Sequence, residues 1–136
     1  MDGARLQAIC RELVELLDVE GCALSRVLGE LLIEVAEYSR SGRTLQLGHG
    51  YLVPDYPLTQ EVLESREARI VSLLDPAPDP SEAILLRELG FESLLMLPLE
   101  SAGECWGLIE LFAAGGRRFD ADDVRRAEPV LRRASS

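Results

Sequence analysis

The residues with the widest chemical reach gather in one short stretch. GHGYLVPDYP, residues 48–57, holds the only histidine, His49, and two of the three tyrosines, Tyr51 and Tyr56. A neutral imidazole between two glycines could ligate haem iron or zinc, or hydrogen-bond an anionic ligand. The same His49 would also serve as a plain loop residue. No Ser or acidic partner can be placed beside it from spacing, so a Ser-His-Asp arrangement is not supported. Tyr51 and Tyr56 flank Pro54-Asp55, where hydroxylated rings could form a mobile lid offering stacking area and a directional hydrogen bond; the alternative is that they cap the core.

The three cysteines, Cys10, Cys22 and Cys105, are odd in number and widely spaced, with no CxxC pair and one histidine to join them. That pattern argues against a disulfide framework and against a metal site. Cys10 falls on a helix stripe, Cys22 at a strand start and Cys105 in a hairpin strand, where small buried hydrophobes sit. Reduced, structural thiols are expected.

These residues must be positioned by one domain, because 136 residues suit a single core without metal or disulfide support. The formal charge of −10 repels the phosphate backbone, so no nucleic-acid partner is expected. No apolar run reaches 18 residues, and Asp2 and Arg5 stand where a signal peptide would begin; no membrane association is expected and the location read is cytoplasmic. All 14 basic residues are Arg, and Lys and Asn are absent, a composition of GC-rich bacterial coding.

Leu6, Ile9, Cys10, Leu13, Val14 and Leu17 recur at helical spacing and predict an amphipathic helix over 2–17. Cys22–Leu28 and Leu31–Tyr38 read as a hairpin about Gly29-Glu30, with Thr44–Leu47 as a third short strand and 48–57 as loop. Leu58–Arg66 predicts a helix capped by Thr59, with Leu58, Val62 and Leu63 inward, and Arg69–Leu73 a strand. Ser81 is read as the cap of a further helix through Ile84, Leu85, Leu86 and Leu89, ended by Gly90. The apolar runs 93–100 and 105–112, joined at Ser101-Ala102-Gly103, suit central antiparallel strands, with a bulge or free edge expected at Pro98. Asp120 caps a last helix, Ala121–Ala134, that Pro129 should bend or stop. This order gives an α+β single domain on one antiparallel sheet.

The strings DYPLTQEVLESREARIVSLLDP (55–76), PSEAILLRELGFESLLMLPLE (80–100), ECWGLIELF (104–112) and RRFDADDV (117–124) resemble bacterial members of the GAF domain family. So do Pro98-Leu99, Gly107, and Phe119 with Asp123. The resemblance runs from about Leu6 to Leu131 within a single domain of 1–136. It implies five to six antiparallel strands, terminal helices packed on one face, and a pocket under the connecting loops and short helices on the other.

The resemblance implies a regulatory sensor domain and no enzyme. It would bind an unidentified small molecule, form a homodimer and act on a fused or partnered kinase, cyclase or transcription regulator. On the implied pocket, His49, Tyr51, Tyr56, Arg69, Leu73, Leu85, Met96 and Trp106 are candidate ligand contacts. Leu6, Leu13 and Leu17 of the first helix with Val124 and Leu131 of the last are candidate dimer contacts. The cofactor is unknown: Cys10, Cys22 and Cys105 precede Arg, Ala and Trp rather than His, so no covalent bilin is expected, and haem is not expected either. Absence of Asn and Lys disfavours a cyclic nucleotide. The alternatives are a ligand-free dimerisation scaffold and a methionine sulfoxide reductase, which needs cysteines in the connecting loops. The end at Ser135-Ser136 suits a domain excised from a longer protein.

Overall fold

A computed structural model describes residues 2–135. The chain orders itself as α1 (Gly3–Leu17), β1 (Gly21–Leu28), β2 (Leu31–Ser39), β3 (Gly50–Leu52), a 3-10 turn (Val53–Asp55), α2 (Pro57–Ser65), β4 (Arg69–Ser72), α3 (Pro80–Leu89), β5 (Ser93–Ser101), β6 (Glu104–Ala113) and α4 (Ala121–Ala134). Six antiparallel strands form one sheet in the order β3-β2-β1-β6-β5-β4. The α+β fold inferred from the sequence is the fold observed.

Asp2 starts α1 by accepting the Arg5 N–H at 2.8 Å, and Asp18 ends it at a φ of 57°. Between them the apolar stripe, Leu6 to Leu17, is buried against the sheet, where each full-length aliphatic side chain contributes about 1.5–3 kcal/mol. Helix α4 lies beside α1 on the same face. Ala127 and Val130 join that core, whose sheet side is supplied by Leu24, Leu95, Leu97, Leu99, Ile109 and Leu111. The opposite face carries Ala23, Leu32, Met96, Leu108 and Phe112, covered by α2 and α3.

Three local readings give way to better-satisfied geometry. Residues 44–47 are not a strand, because Glu37 captures the Leu45 and Gln46 N–H groups with its two carboxylate oxygens, both at 3.0 Å; the third strand is instead Gly50–Leu52, inside the expected loop. Thr59 and Ser81 are not caps. Pro57 opens α2, Thr59 sits inside it, and Asp79 caps α3 by accepting the Glu82 N–H, one residue ahead of Pro80. Ile84, expected inward, is exposed.

Pro129 neither stops nor shortens α4, which runs on to Ala134. It sits on the exposed side, where the Arg125 carbonyl that loses its donor can turn to water. Pro98 pairs with Leu108 beyond Met96, where β4 pairing ends, so that edge is free; the irregularity falls just after it, between Leu99 and Glu100.

Candidate functional site

Two features of the sheet build a site on the α2/α3 face. In β2, Val35 has no counterpart on β1, since Leu24 faces Ala36 and Ser25 faces Glu34. This bulge breaks the alternation, so Leu32 and Glu34 point to the α2/α3 side while Ala36 points to the helix core. In β6, alternation is kept from Leu108 to Phe112. Ile109 and Leu111 enter the helix core, and Leu108, Glu110 and Phe112 face the other way.

A small cavity forms there. Leu32, Leu85 and Leu108 give it apolar walls, Tyr51 and Tyr56 close one end, and Thr59, Glu82 and Glu110 bring polar atoms. The tyrosine rings meet edge to face, centroids 5.6 Å apart, and the Tyr51 hydroxyl donates to Gln46 Oε1. Thr59 Oγ1 donates to Glu82 Oε1 at 2.9 Å, while Glu82 Oε2 has no partner. The free volume is about 10 Å³, enough for one water-sized group.

Burial sets the electrostatics. It pushes the Glu82 carboxyl up to about 7 against the hydrogen bond from Thr59, with the Asp79 charge adding to the rise. It raises Glu110 well above the usual carboxylate range, helped by the charges of Glu82 and Glu34. Glu34, only 3% exposed and with Oε2 unpartnered, is pushed to about 8 by burial and then by Glu37. Both tyrosine hydroxyls are raised by burial and by the surrounding acids. Among the described residues, no basic side chain lines the cavity. The arrangement can accept hydrogen bonds and positive charge, and it has no nucleophile or metal cage: no three His, Cys, Asp or Glu among the described residues are placed to hold an ion.

Of the predicted contacts, Tyr51, Tyr56 and Leu85 meet at this cavity. Met96 and Leu73 lie deeper or beside it in the same apolar layer. His49 is exposed, engaged through its backbone with Gln46 and Glu34. Arg69 is held away by Glu61 at 2.8 Å and Glu67 at 3.4 Å. Trp106 belongs to the opposite face. It is the residue of β6 without a counterpart, because Leu99 faces Gly107 and Glu100 faces Cys105, and it packs on the helix core under the Arg26 guanidinium, 4.4 Å from the ring centroid.

The sequence reading missed Glu34, Thr59, Glu82 and Glu110. An acid inside an otherwise apolar strand, as in LLIEVA and GLIELF, was the available signal, since a buried carboxylate is costly unless it has work to do.

Cys10 and Cys22 are fully buried in the helix core as expected. Cys105 is not; it is half-exposed in an open groove beside Val27, Val53 and Leu63, because the β5–β6 bulge turns it out of the layer. Leu6, Leu13 and Leu17 are buried against the chain's own sheet, and of the five proposed dimer contacts only Val124 and Leu131 stay partly exposed.

A GAF domain family model matches residues 3–135. No curated protein matches the sequence. Among solved structures, the chromophore-binding domain of Stigmatella aurantiaca phytochrome P1 is 20% identical with a TM-score of 0.78, over 99% of this chain and 54% of that one. The phycocyanobilin-bound GAF domain of a cyanobacterial phytochrome is 18% identical with a TM-score of 0.80, over 98% and 84%. A phycoerythrobilin-bound GAF domain, also from a cyanobacterial phytochrome, is 18% identical with a TM-score of 0.82, over 98% and 82%. The last two overturn the expectation of no covalent bilin, since both are GAF domains solved with a bilin bound. That expectation rested on the residue following each cysteine, which says nothing of the space the fold encloses, and domains of this same fold hold bilins.

Proposed function

The chain belongs to the GAF domain family, and from that membership we propose that it is a regulatory sensor domain whose ligand enters the cavity between β6, β3, α2 and α3. The observation that carries the reading is Glu82: a carboxyl 1% exposed, aimed into a cavity, with one oxygen unpartnered. Such a group is costly to bury for packing alone.

Signal transfer has a direct route in this reading. Glu110 faces the cavity while its neighbours Ile109 and Leu111 pack under α1 and α4, so a shift of β6 on binding is felt by both terminal helices. A ligand acts this way only by preferring one of two states. The helices would pass the bias to a fused or partnered kinase, cyclase or transcription regulator. A homodimer would use Val124 and Leu131, whose groove with Ala68, Leu97 and Pro98 retains apolar surface. We place the domain in the cytoplasm; no helix among the described residues is long and apolar enough to cross a membrane.

Catalysis is not part of this reading. Burial pushes the Cys105 thiol up, away from the thiolate that redox chemistry needs, and Cys10 and Cys22 lie on the far face of the sheet. One specific observation favours a second reading, a ligand-free dimerising scaffold: the cavity as it stands admits only a water-sized group.

Native mass spectrometry of the purified protein separates the two. The sensor reading expects a dimer carrying a small molecule, or a metabolite that raises the melting temperature and loses that effect in the cavity-filling variant Leu85→Phe. A clean dimer that no metabolite stabilises supports the scaffold.

A further inference from the structure

We infer that the cavity takes a small alkylammonium, its cationic head between Glu82 and Glu110 and its apolar tail against Leu32, Leu85 and Leu108. This rests on the sensor reading and names its ligand class. Two independent observations point the same way. The ionisable groups on the wall are two carboxyls and two tyrosine hydroxyls with no base among them, and Glu82 Oε2, nearly solvent-free, faces the cavity without a hydrogen bond. An ammonium head supplies what that oxygen lacks, donors together with positive charge, in a setting where a charge-assisted hydrogen bond is strong.

The tyrosines fit the same guest. An ammonium beside the electron-rich faces of Tyr51 and Tyr56 gains cation–π attraction that a neutral or anionic guest does not. Both rings stand on the segment from β3 through the 3-10 turn, the edge-most part of the sheet, so widening the cavity means moving that segment and leaves the β1–β6–β5 centre in place.

Binding also carries a proton signature. The acids facing one another here are Glu82 on α3, Glu110 on β6 and Glu34 with Glu37 on β2. Asp79 and Glu88 stand at the two ends of α3, and the tyrosine hydroxyls complete the set. Burial raises both cavity carboxyls, so below their titration a cation must displace a proton to be held. Affinity therefore rises with pH as Glu82 passes through about 7 and as Glu110 ionises above the usual carboxylate range, until the amine itself loses its charge at about 10.

The test is a titration of the full chain with n-butylammonium chloride, followed by amide NMR and calorimetry, against n-butanol, butyrate and sodium chloride at equal ionic strength. The expected result is saturable binding of the ammonium alone, with shifts at Tyr51, Tyr56, Thr59 and Glu110. Glu82→Gln and Glu110→Gln should each lose about tenfold or more in affinity, and the exposed Glu104→Gln should lose none. Because Gln matches the neutral carboxylic acid in size and cannot ionise, the two cavity variants should fold at least as well as the parent. Equal binding of butanol, or binding of butyrate, overturns the cation assignment and leaves the sensor reading standing. No binding of any probe also overturns it, and the native mass spectrum then decides the sensor reading separately.

Discussion

Thr59 on α2 and Glu82 on α3 are tied by a buried hydrogen bond of 2.9 Å, the Thr59 hydroxyl donating to one carboxylate oxygen. It joins two short helices that cover the same apolar layer of the sheet, and it steadies the charged form of Glu82. Thr59→Val keeps the shape and removes the donor, leaving Glu82 with neither oxygen paired. Urea unfolding should show a loss of about 1–3 kcal/mol. The loss should be larger at pH 8 than at pH 5, because only the ionised carboxyl misses the donor fully. An equal loss at both values would mean that Thr59 acts through packing.

Glu34 and Glu82 make stability fall with rising pH. Their carboxyls titrate at about 8 and about 7 in the fold, above the 4.5 of an unperturbed Glu, so the folded state holds protons that the unfolded state has released. The stability this contributes is complete below about 4.5 and lost as pH passes through 7 and 8. Melting temperature should therefore drop between pH 5.5 and 8.5. General repulsion from the net charge of −10 acts in the same direction, so the diagnostic is Glu34→Gln, which should flatten the slope. An unchanged slope in that variant would remove Glu34 from the account.

Asp123 works in the opposite sense. Burial alone would raise its carboxyl, but the Arg117 guanidinium at 2.9 and 3.1 Å, the Asp120 N–H at 3.0 Å and the charge of Arg126 outweigh burial and hold it below the usual range. Arg117 also donates to the Leu17 carbonyl at 2.8 Å, so one cluster fixes the start of α4 to the end of α1. Asp123→Asn loses the ion pair and weakens the capping box, and should cost about 2–4 kcal/mol. Chemical denaturation at neutral pH measures it, and the cost should shrink in acid, as pH falls below the usual carboxylate range and the parent's own carboxyl protonates. Asp123→Glu, longer by one methylene, should not restore the parent.

The frame of this fold was legible because its signals are local and periodic. The α1 stripe, the Gly29-Glu30 turn and the paired apolar runs at 93–100 and 105–112 each follow from spacing within a dozen residues. The site was only half legible, since two bulges decide which face its residues occupy. The unpaired Val35 turns Glu34 into the α2/α3 layer, and the unpaired Trp106 leaves the cavity for the helix core. Bulges depend on partner-strand register, which alternation along one strand does not reveal. Thr59 and Ser81 misled for a related reason: each has the chemistry of a cap, yet Pro57 and Asp79 start the helices two residues earlier.

Gly107 stands on β6 next to Leu108, which walls the cavity. A Cβ there would stand 2.2 Å from the Ser25 carbonyl oxygen on β1, a backbone atom that cannot turn aside. Gly107→Ala must therefore push β1 and β6 apart at the end of their pairing, where Arg26 faces Gly107. Overpacking of this kind costs about 1–3 kcal/mol, and the upper end is expected because backbone must move. Hydrogen exchange should quicken at Ser25, Arg26 and Leu108 before it does along β5, and the Glu110 side of the cavity should shift with β6. Wild-type exchange at those amides, with stability unchanged, would show that the close approach is relieved locally and that β6 does not transmit strain from its β1 edge to the cavity.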